Sequence, residues 1–300
     1  MGFFVKFWGT RGSIPTPGYL TRKYGGNTTC VEIRIDDTLI ICDAGTGIRE
    51  LGVDLMKRKQ DAVKAHLFFS HMHFDHIQGF PFFTPCFLPS SELLIYGRTN
   101  DDTRHYDLVS GQMESDDYFP VNFKDLGAHI VTAELGNDDL ITTGHTFSGI
   151  KVRSFAQMHP GGSLSYSFEK DGYKVVFSTD NEIDLIIENS DEVADDVNAL
   201  RKIPQDFLDF CHGADLLICD GQYTDKEYPT KIGWGHPRAT TCVDLALQAE
   251  VKQLAITHHD PMQTDDDVDD KIGACRVRAH PHRPEMVVFA AREGLELKIT

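Results

Sequence analysis

Three imidazoles and a carboxylate within six positions, directly behind an apolar run, leave a chain few folds. Residues 70–80 read Ser-His-Met-His-Phe-Asp-His-Ile-Gln-Gly-Phe and follow Leu67-Phe68-Phe69. The apolar run has the length of a buried strand, so the polar stretch is a loop at a strand end. His71, His73, Asp75 and His76 are donors that suit zinc and its first-row neighbours. Alternate residues of an extended segment share a face, which puts His71 beside His73. A turn through Asp75 and His76 then offers a second pair, and the spacing points to two metals side by side. A lone histidine is ordinarily a surface or satisfied core residue. Such a dense group of ligand-type residues after a strand has no packing explanation.

Other strand-like runs end the same way. Ile150 to Phe155 leads to His159, Tyr173 to Ser178 leads to Asp180, and Asp215 to Asp220 ends in a carboxylate. Gln253 to Thr257 delivers His258 and His259, which compete for one ligand position. Leu39 to Cys42 runs into Asp43, by itself a turn residue or helix cap. Beside a metal loop, Asp43 becomes a carboxylate that orients a ligand imidazole through its other nitrogen. Many strands delivering such residues to one rim is how a sheet assembles a site from distant sequence. The pattern also predicts helices over 48–58 and about 238–250, and a closing hairpin of Val287–Ala290 with Leu295–Ile299. With no linker and no repeat, the expectation is one domain over 1–300. It carries a lid insertion at 98–125 and an acidic helical insertion at 181–210.

Composition narrows the partners. Hydrophobic residues make up 41% and charged residues 25%, as in a globular protein with ample core. No run approaches the roughly 18 apolar residues of a membrane span. Met-Gly-Phe-Phe-Val-Lys lacks the basic lead of a secretory signal, and Lys6 stands where myristoylation wants Ser or Thr. Seven scattered cysteines without a Cys-x-x-Cys argue for reduced thiols in a cytoplasm and against thiolate zinc. The net charge of −17 suits a long nucleic acid poorly, because gripping a polyanion normally takes basic surface. A small phosphate-bearing substrate drawn in by metal ions remains compatible.

The His-x-His-x-Asp-His run at 71–76 resembles the signature of the metallo-β-lactamase-fold hydrolases, and the similarity extends over essentially the whole chain. It implies an α/β fold: a four-layer αββα sandwich of two facing mixed β-sheets. It also implies two divalent metal ions, zinc first, with manganese or iron suiting the same ligands. His71, His73 and His159 resemble the ligands of one ion and Asp75, His76 and His258 those of the other, with Asp180 bridging. Asp43 matches the carboxylate of the family's early strand. Gly233-Trp234-Gly235-His236-Pro237-Arg238 resembles a helix-leading histidine motif of tRNA 3′-processing endonucleases, although Pro237 stands where Ser or Thr is usual. The resemblance gives His236 the task of protonating the leaving oxygen, held by Asp75 or Asp220. Arg11 or Arg238 meets the phosphate, or is simply a surface charge. The expected activity is metal-assisted hydrolysis of a small phosphodiester, preferably a cyclic nucleotide. An RNA endonuclease, a thioester or lactone hydrolase, and a metal-binding module are the alternatives. No membrane partner is expected, and a homodimer is expected by analogy.

Overall fold

Phe3, Val5 and Phe7 are buried while Phe4, Lys6 and Trp8 are half-exposed, the alternation of a strand with one face on a core. The same logic recurs through a computed structural model that describes residues 2–58, 62–98, 105–114, 119–135, 145–147, 149–195 and 199–300. In chain order the strands are β1 (Phe3–Gly9), β2 (Cys30–Ile35), β3 (Thr38–Cys42), β4 (Lys64–Phe68), β5 (Glu92–Arg98), β6 (His129–Leu135) and β7 (His145–Phe147). They continue as β8 (Ile150–Gln157), β9 (Ser163–Lys170), β10 (Tyr173–Ser178), β11 (Leu216–Asp220), β12 (Gln253–Thr257), β13 (Val287–Ala290) and β14 (Glu296–Lys298). The helices are α1 (Gly47–Lys57), α2 (Phe74–Ile77), α3 (His105–Gly111), α4 (Ser190–Asp195), α5 (Gln205–Cys211), α6 (Ala239–Gln248) and α7 (Asp265–Ala279).

By contact the chain divides into two units. The first comprises Met1–Gly18, Gly25–Leu140 and Arg292–Thr300. Its seven-stranded sheet runs β14-β1-β2-β3-β4-β5-β6, antiparallel through β3 and parallel from β3 to β6. Ile41, Leu67 and Ile95 from this sheet meet Ile48, Leu51 and Leu55 of α1 and the buried Phe80 and Phe83 in its core. Strands buried on both faces read as continuous apolar runs, which is why Leu39–Cys42 and Leu67–Phe69 were visible in the sequence.

The second unit comprises Tyr19–Tyr24 and Ile141–Ala291. Its seven-stranded sheet runs β13-β12-β11-β10-β9-β8-β7, parallel from β13 to β10 and antiparallel beyond. Leu217, Leu254 and Ile256 of this sheet pack with Val243 and Ala246 of α6 and Val268 and Ile272 of α7. Among the described residues no helix is long and apolar enough to cross a membrane.

The expected closing hairpin is wrong. β13 pairs in parallel with β12, Ala255 opposite Phe289, whereas β14 pairs antiparallel with β1, Val5 opposite Leu297. The cause is α7, which the sequence reading missed. A helix between β12 and β13 makes a crossover that commits β13 to the parallel edge. Its start was legible: Thr264 and Asp267 form a reciprocal capping box, the Thr-x-x-Asp spelling of a helix N-terminus.

The proposed lid at 98–125 lies partly outside the described residues; within them it holds α3 and a 3-10 turn at Phe123–Asp125. The acidic segment at 181–210, apart from 196–198, carries a 3-10 turn at Ile183–Leu185, α4 and the start of α5.

Candidate metal centre

In the first unit, β4 ends at Phe68 and the chain passes through Ser70 to His71 before the single turn of α2. The ring centroids of His71 and His73 are 4.4 Å apart and those of His71 and His76 4.3 Å. Asp75 Oδ2 lies 3.3 Å from His76 Nε2 and accepts the Ser13 amide at 2.7 Å. Beneath them sits Asp43, buried, at the end of β3 with a left-handed φ of 61°. Its carboxylate accepts the Ser70 amide at 2.7 Å and the Ser70 hydroxyl at 2.8 Å, and pairs with His76 Nδ1 at 2.7 Å. Burial pushes Asp43 up from the ordinary carboxylate range, while the His76 and Ser70 interactions oppose that shift. A carboxylate on Nδ1 fixes the tautomer and aims Nε2 outward as a donor.

The second unit builds its half around Asp180. This residue follows β10 with φ 55°, and His258 follows β12 with φ 56°. Left-handed backbone costs a non-glycine residue about 1–3 kcal/mol and concentrates where side chains must be aimed. Asp180 Oδ1 is 3.2 Å from His258 Nε2, and its Oδ2 is 3.6 Å from His159 Nε2. His258 is oriented by Gln222 Oε1, 2.8 Å from Nδ1, and His159 by the Gly235 carbonyl, 2.9 Å from Nδ1. His236 sets Nδ1 on Asp220 Oδ2 at 2.7 Å and stacks on His258 with centroids 4.8 Å apart. Asp180, Asp220, His236 and His258 each offer a ligand atom within 4.8 Å of one another.

His258, not His259, faces Asp180; His259 turns Nε2 to the Ala291 carbonyl at 3.0 Å and its ring edge to Tyr24. His236 is paired with Asp220, one of the two expected partners. The arginines are not surface charges. Arg11 is fully buried and donates Nε to the Gly25 carbonyl, and Arg238 is bonded to Asp184 through both its amide and its guanidinium.

Three supporting residues escaped the sequence reading. Glu182, buried, accepts the amides of Gly233 and Gly235, each at 2.7 Å, and the Tyr228 hydroxyl at 2.9 Å, so it ties down the loop that carries His236. Asp184 holds Arg238 and the Thr241 hydroxyl at the start of α6. Gln222 supports His258. Their one sequence signal was the polar spelling right after two strand ends, Asp180-Asn181-Glu182 and Asp220-Gly221-Gln222.

The donor set fits a divalent metal ion. Imidazoles and carboxylates converge in both units, the donor types that suit divalent first-row ions. Thiolates take no part: burial pushes the thiols of Cys30, Cys42, Cys86, Cys211, Cys242 and Cys275 upward.

Strand order and the position of these residues define the metallo-β-lactamase fold, and solved structures agree. The short form of human tRNase Z superposes with a TM-score of 0.66 at 19% identity, covering 99% of each chain. The metallo-β-lactamase fold protein YhfI of Bacillus subtilis gives 0.65 at 18% identity, covering 99% of this chain and all of the other. The chain belongs to the beta-lactamase superfamily, whose domain model matches residues 38–259. Among curated relatives, Ribonuclease Z of Methanosarcina mazei is 26% identical over 87% of this chain and 89% of its own. Ribonuclease Z of Thermoplasma acidophilum is also 26% identical, over 88% of each.

Proposed function

We propose that this protein is a metal-dependent hydrolase of phosphodiesters that uses two divalent ions, zinc in first place. In this reading His71, His73 and His159 would hold one ion and Asp75, His76 and His258 the other, with Asp180 a candidate ligand for both. Bound there, the ions would supply Lewis-acid activation of water and a clamp for phosphate oxygens. The chain's own residues do the rest. Asp43, Gln222 and the Gly235 carbonyl hold the Nδ1 atoms of His76, His258 and His159, leaving each Nε2 as donor. Asp220 holds His236 through Nδ1, leaving Nε2 as the atom that would deliver a proton to the departing alkoxide oxygen. That carboxylate–imidazole pair beside Asp180 and His258 is the observation that carries the proposal. A structural metal site has no use for a general acid, and neither has a thioester hydrolase, whose thiolate leaves unprotonated.

A cyclic nucleotide is the substrate we assign first, supported by the net charge of −17, which weighs against a polyanion groove. The second reading, an RNA endonuclease, is supported by relatives named Ribonuclease Z that align over nearly their whole length. Work in the cytoplasm is supported by seven cysteines that are all free thiols. The test is a panel of 2′,3′- and 3′,5′-cyclic nucleotides, short RNAs and bis(p-nitrophenyl) phosphate, assayed with defined divalent ions and with chelator. Metal-dependent turnover of cyclic nucleotides over RNA is expected. Selective RNA cleavage with steep salt dependence would move the assignment to the endonuclease, and no metal-dependent turnover of any phosphodiester would end it.

A further inference from the structure

The first unit holds a pocket of about 630 Å³ that the hydrolytic machinery described above does not use. Phe74 and Gln78 line it, Phe74 directly before Asp75 in the chain and Gln78 two residues after His76. Phe82 and Phe119 also line it, ring edge to ring face with centroids 5.5 Å apart, together with Gln112 and Arg49. Apolar rings ordinarily leave water, yet Phe74 is 56% and Phe82 58% exposed. Their neighbours Phe80 and Phe83 are fully buried, so the segment divides its aromatics between core and pocket.

The polar lining has a matching character. Gln78 Nε2 reaches the Thr28 hydroxyl, and Gln112 Nε2 the Val109 carbonyl, each at 3.4 Å. Bonds that long are weak and readily exchanged for a ligand's. A primary amide carries a donor and an acceptor side by side, the pattern that reads the edge of a nucleobase. Phenylalanine faces supply the sequence-tolerant stacking that holds a base flat. The cavity has the size of a small-molecule site. Arg49, at the start of α1, is the charged side chain among the described residues that line it, and a guanidinium suits a nucleotide's electron-rich edge or phosphate.

We infer that this pocket is a nucleobase subsite, in which Phe82 and Phe74 stack on the base of a nucleotide substrate and the Gln78 and Gln112 amides meet its edge. The inference rests on the reading of the substrate as a nucleotide phosphodiester, and deepens it by naming what selects that substrate. It assigns specificity to residues that bind no metal and move no proton.

The experiment compares calorimetric binding of AMP, GMP, CMP and UMP with that of ribose 5-phosphate, using the full-length, metal-loaded protein. All five share the phosphate and sugar, so any difference belongs to the base. At least one nucleotide is expected to bind about tenfold tighter than ribose 5-phosphate, with Phe82→Ala erasing most of that advantage and Phe82→Trp retaining it. Phe82 is exposed, so its truncation spares the core, and Gln112→Ala offers an independent check on the amide contact. Equal binding of all five ligands, or nucleotide affinities within about twofold of wild type in Phe82→Ala, would overturn the subsite. Turnover is scored separately, so a protein that binds bases but cleaves no phosphodiester sinks the hydrolase reading and leaves the pocket standing.

Discussion

His236 Nδ1 lies 2.7 Å from Asp220 Oδ2, joining the first polar turn before α6 to the last residue of β11. The same Nδ1 is 3.8 Å from Asp180 Oδ2, and the imidazole stacks on the ring of His258. In the proposed function His236 is the proton donor and not one of the metal ligands. His236→Ala should lower kcat on a nucleotide substrate by about 10²–10⁴-fold while metal content stays at the wild-type level. The loss should shrink for bis(p-nitrophenyl) phosphate, whose leaving group needs no proton. Steady-state kinetics on both substrates, with metal analysis of the same samples, checks it. Equal losses on the two would remove the acid role.

Asp43 acts through His76. Asp43→Asn keeps a residue type at ease with φ 61° and removes the charge on Nδ1. Metal affinity should fall about 10–100-fold, read by competition with a chromogenic chelator. A far-UV spectrum unchanged from wild type would tie that loss to ligand orientation.

Gly235 has a φ of 92°, and a Cβ there would stand 2.2 Å from His159 Nδ1. Gly235→Ala must therefore push the imidazole off its carbonyl partner or distort the loop that Glu182 holds. We expect a stability loss of about 1–3 kcal/mol in urea, together with weaker metal binding. Wild-type affinity in this variant would mean that His159 is no ligand.

Lys271 is fully buried on α7, donating to the Gln222 carbonyl at 3.0 Å and Gln263 Oε1 at 2.7 Å. Desolvation lowers its ammonium from 10.5 to about 8. Between those values the unfolded chain keeps a proton that the folded chain has released, so folding stability gains as pH rises through that window. The gain approaches about 3 kcal/mol at 1.36 kcal/mol per pKa unit. Lys271→Met cannot titrate, so wild type should gain on it between about pH 8 and 10.5 in parallel denaturant melts. A pH-independent difference between the two would place the lysine's pKa in the ordinary range.

Much of this was legible from residue order. Apolar runs such as Leu39–Cys42 and alternating ones such as Ile150–Phe155 announced strands, because burial on two faces or one leaves its period in the chain. The ligand-type residues at their ends could be named from type and spacing, since few side chains coordinate metals. What stayed hidden was every choice that depends on distant backbone. Two adjacent histidines follow β12, and only the register that sets Thr257 beside Asp220 decides that His258 meets Asp180 while His259 meets Ala291. Arg11 and Arg238 look alike on paper, yet Arg11 is fully buried and Arg238 half-buried, each held by a partner remote in sequence. The roles of Glu182, Asp184 and Gln222 come from hydrogen bonds to amides, hydroxyls and imidazoles that no local pattern specifies. The α7 crossover carries β13 to the edge beside β12, whereas β14 pairs with β1 at the start of the chain. Short-range chemistry thus fixed which side chains this protein brings to its site. Their aim and pairing follow from strand register and buried hydrogen bonds, which exist only once segments far apart in sequence have packed together.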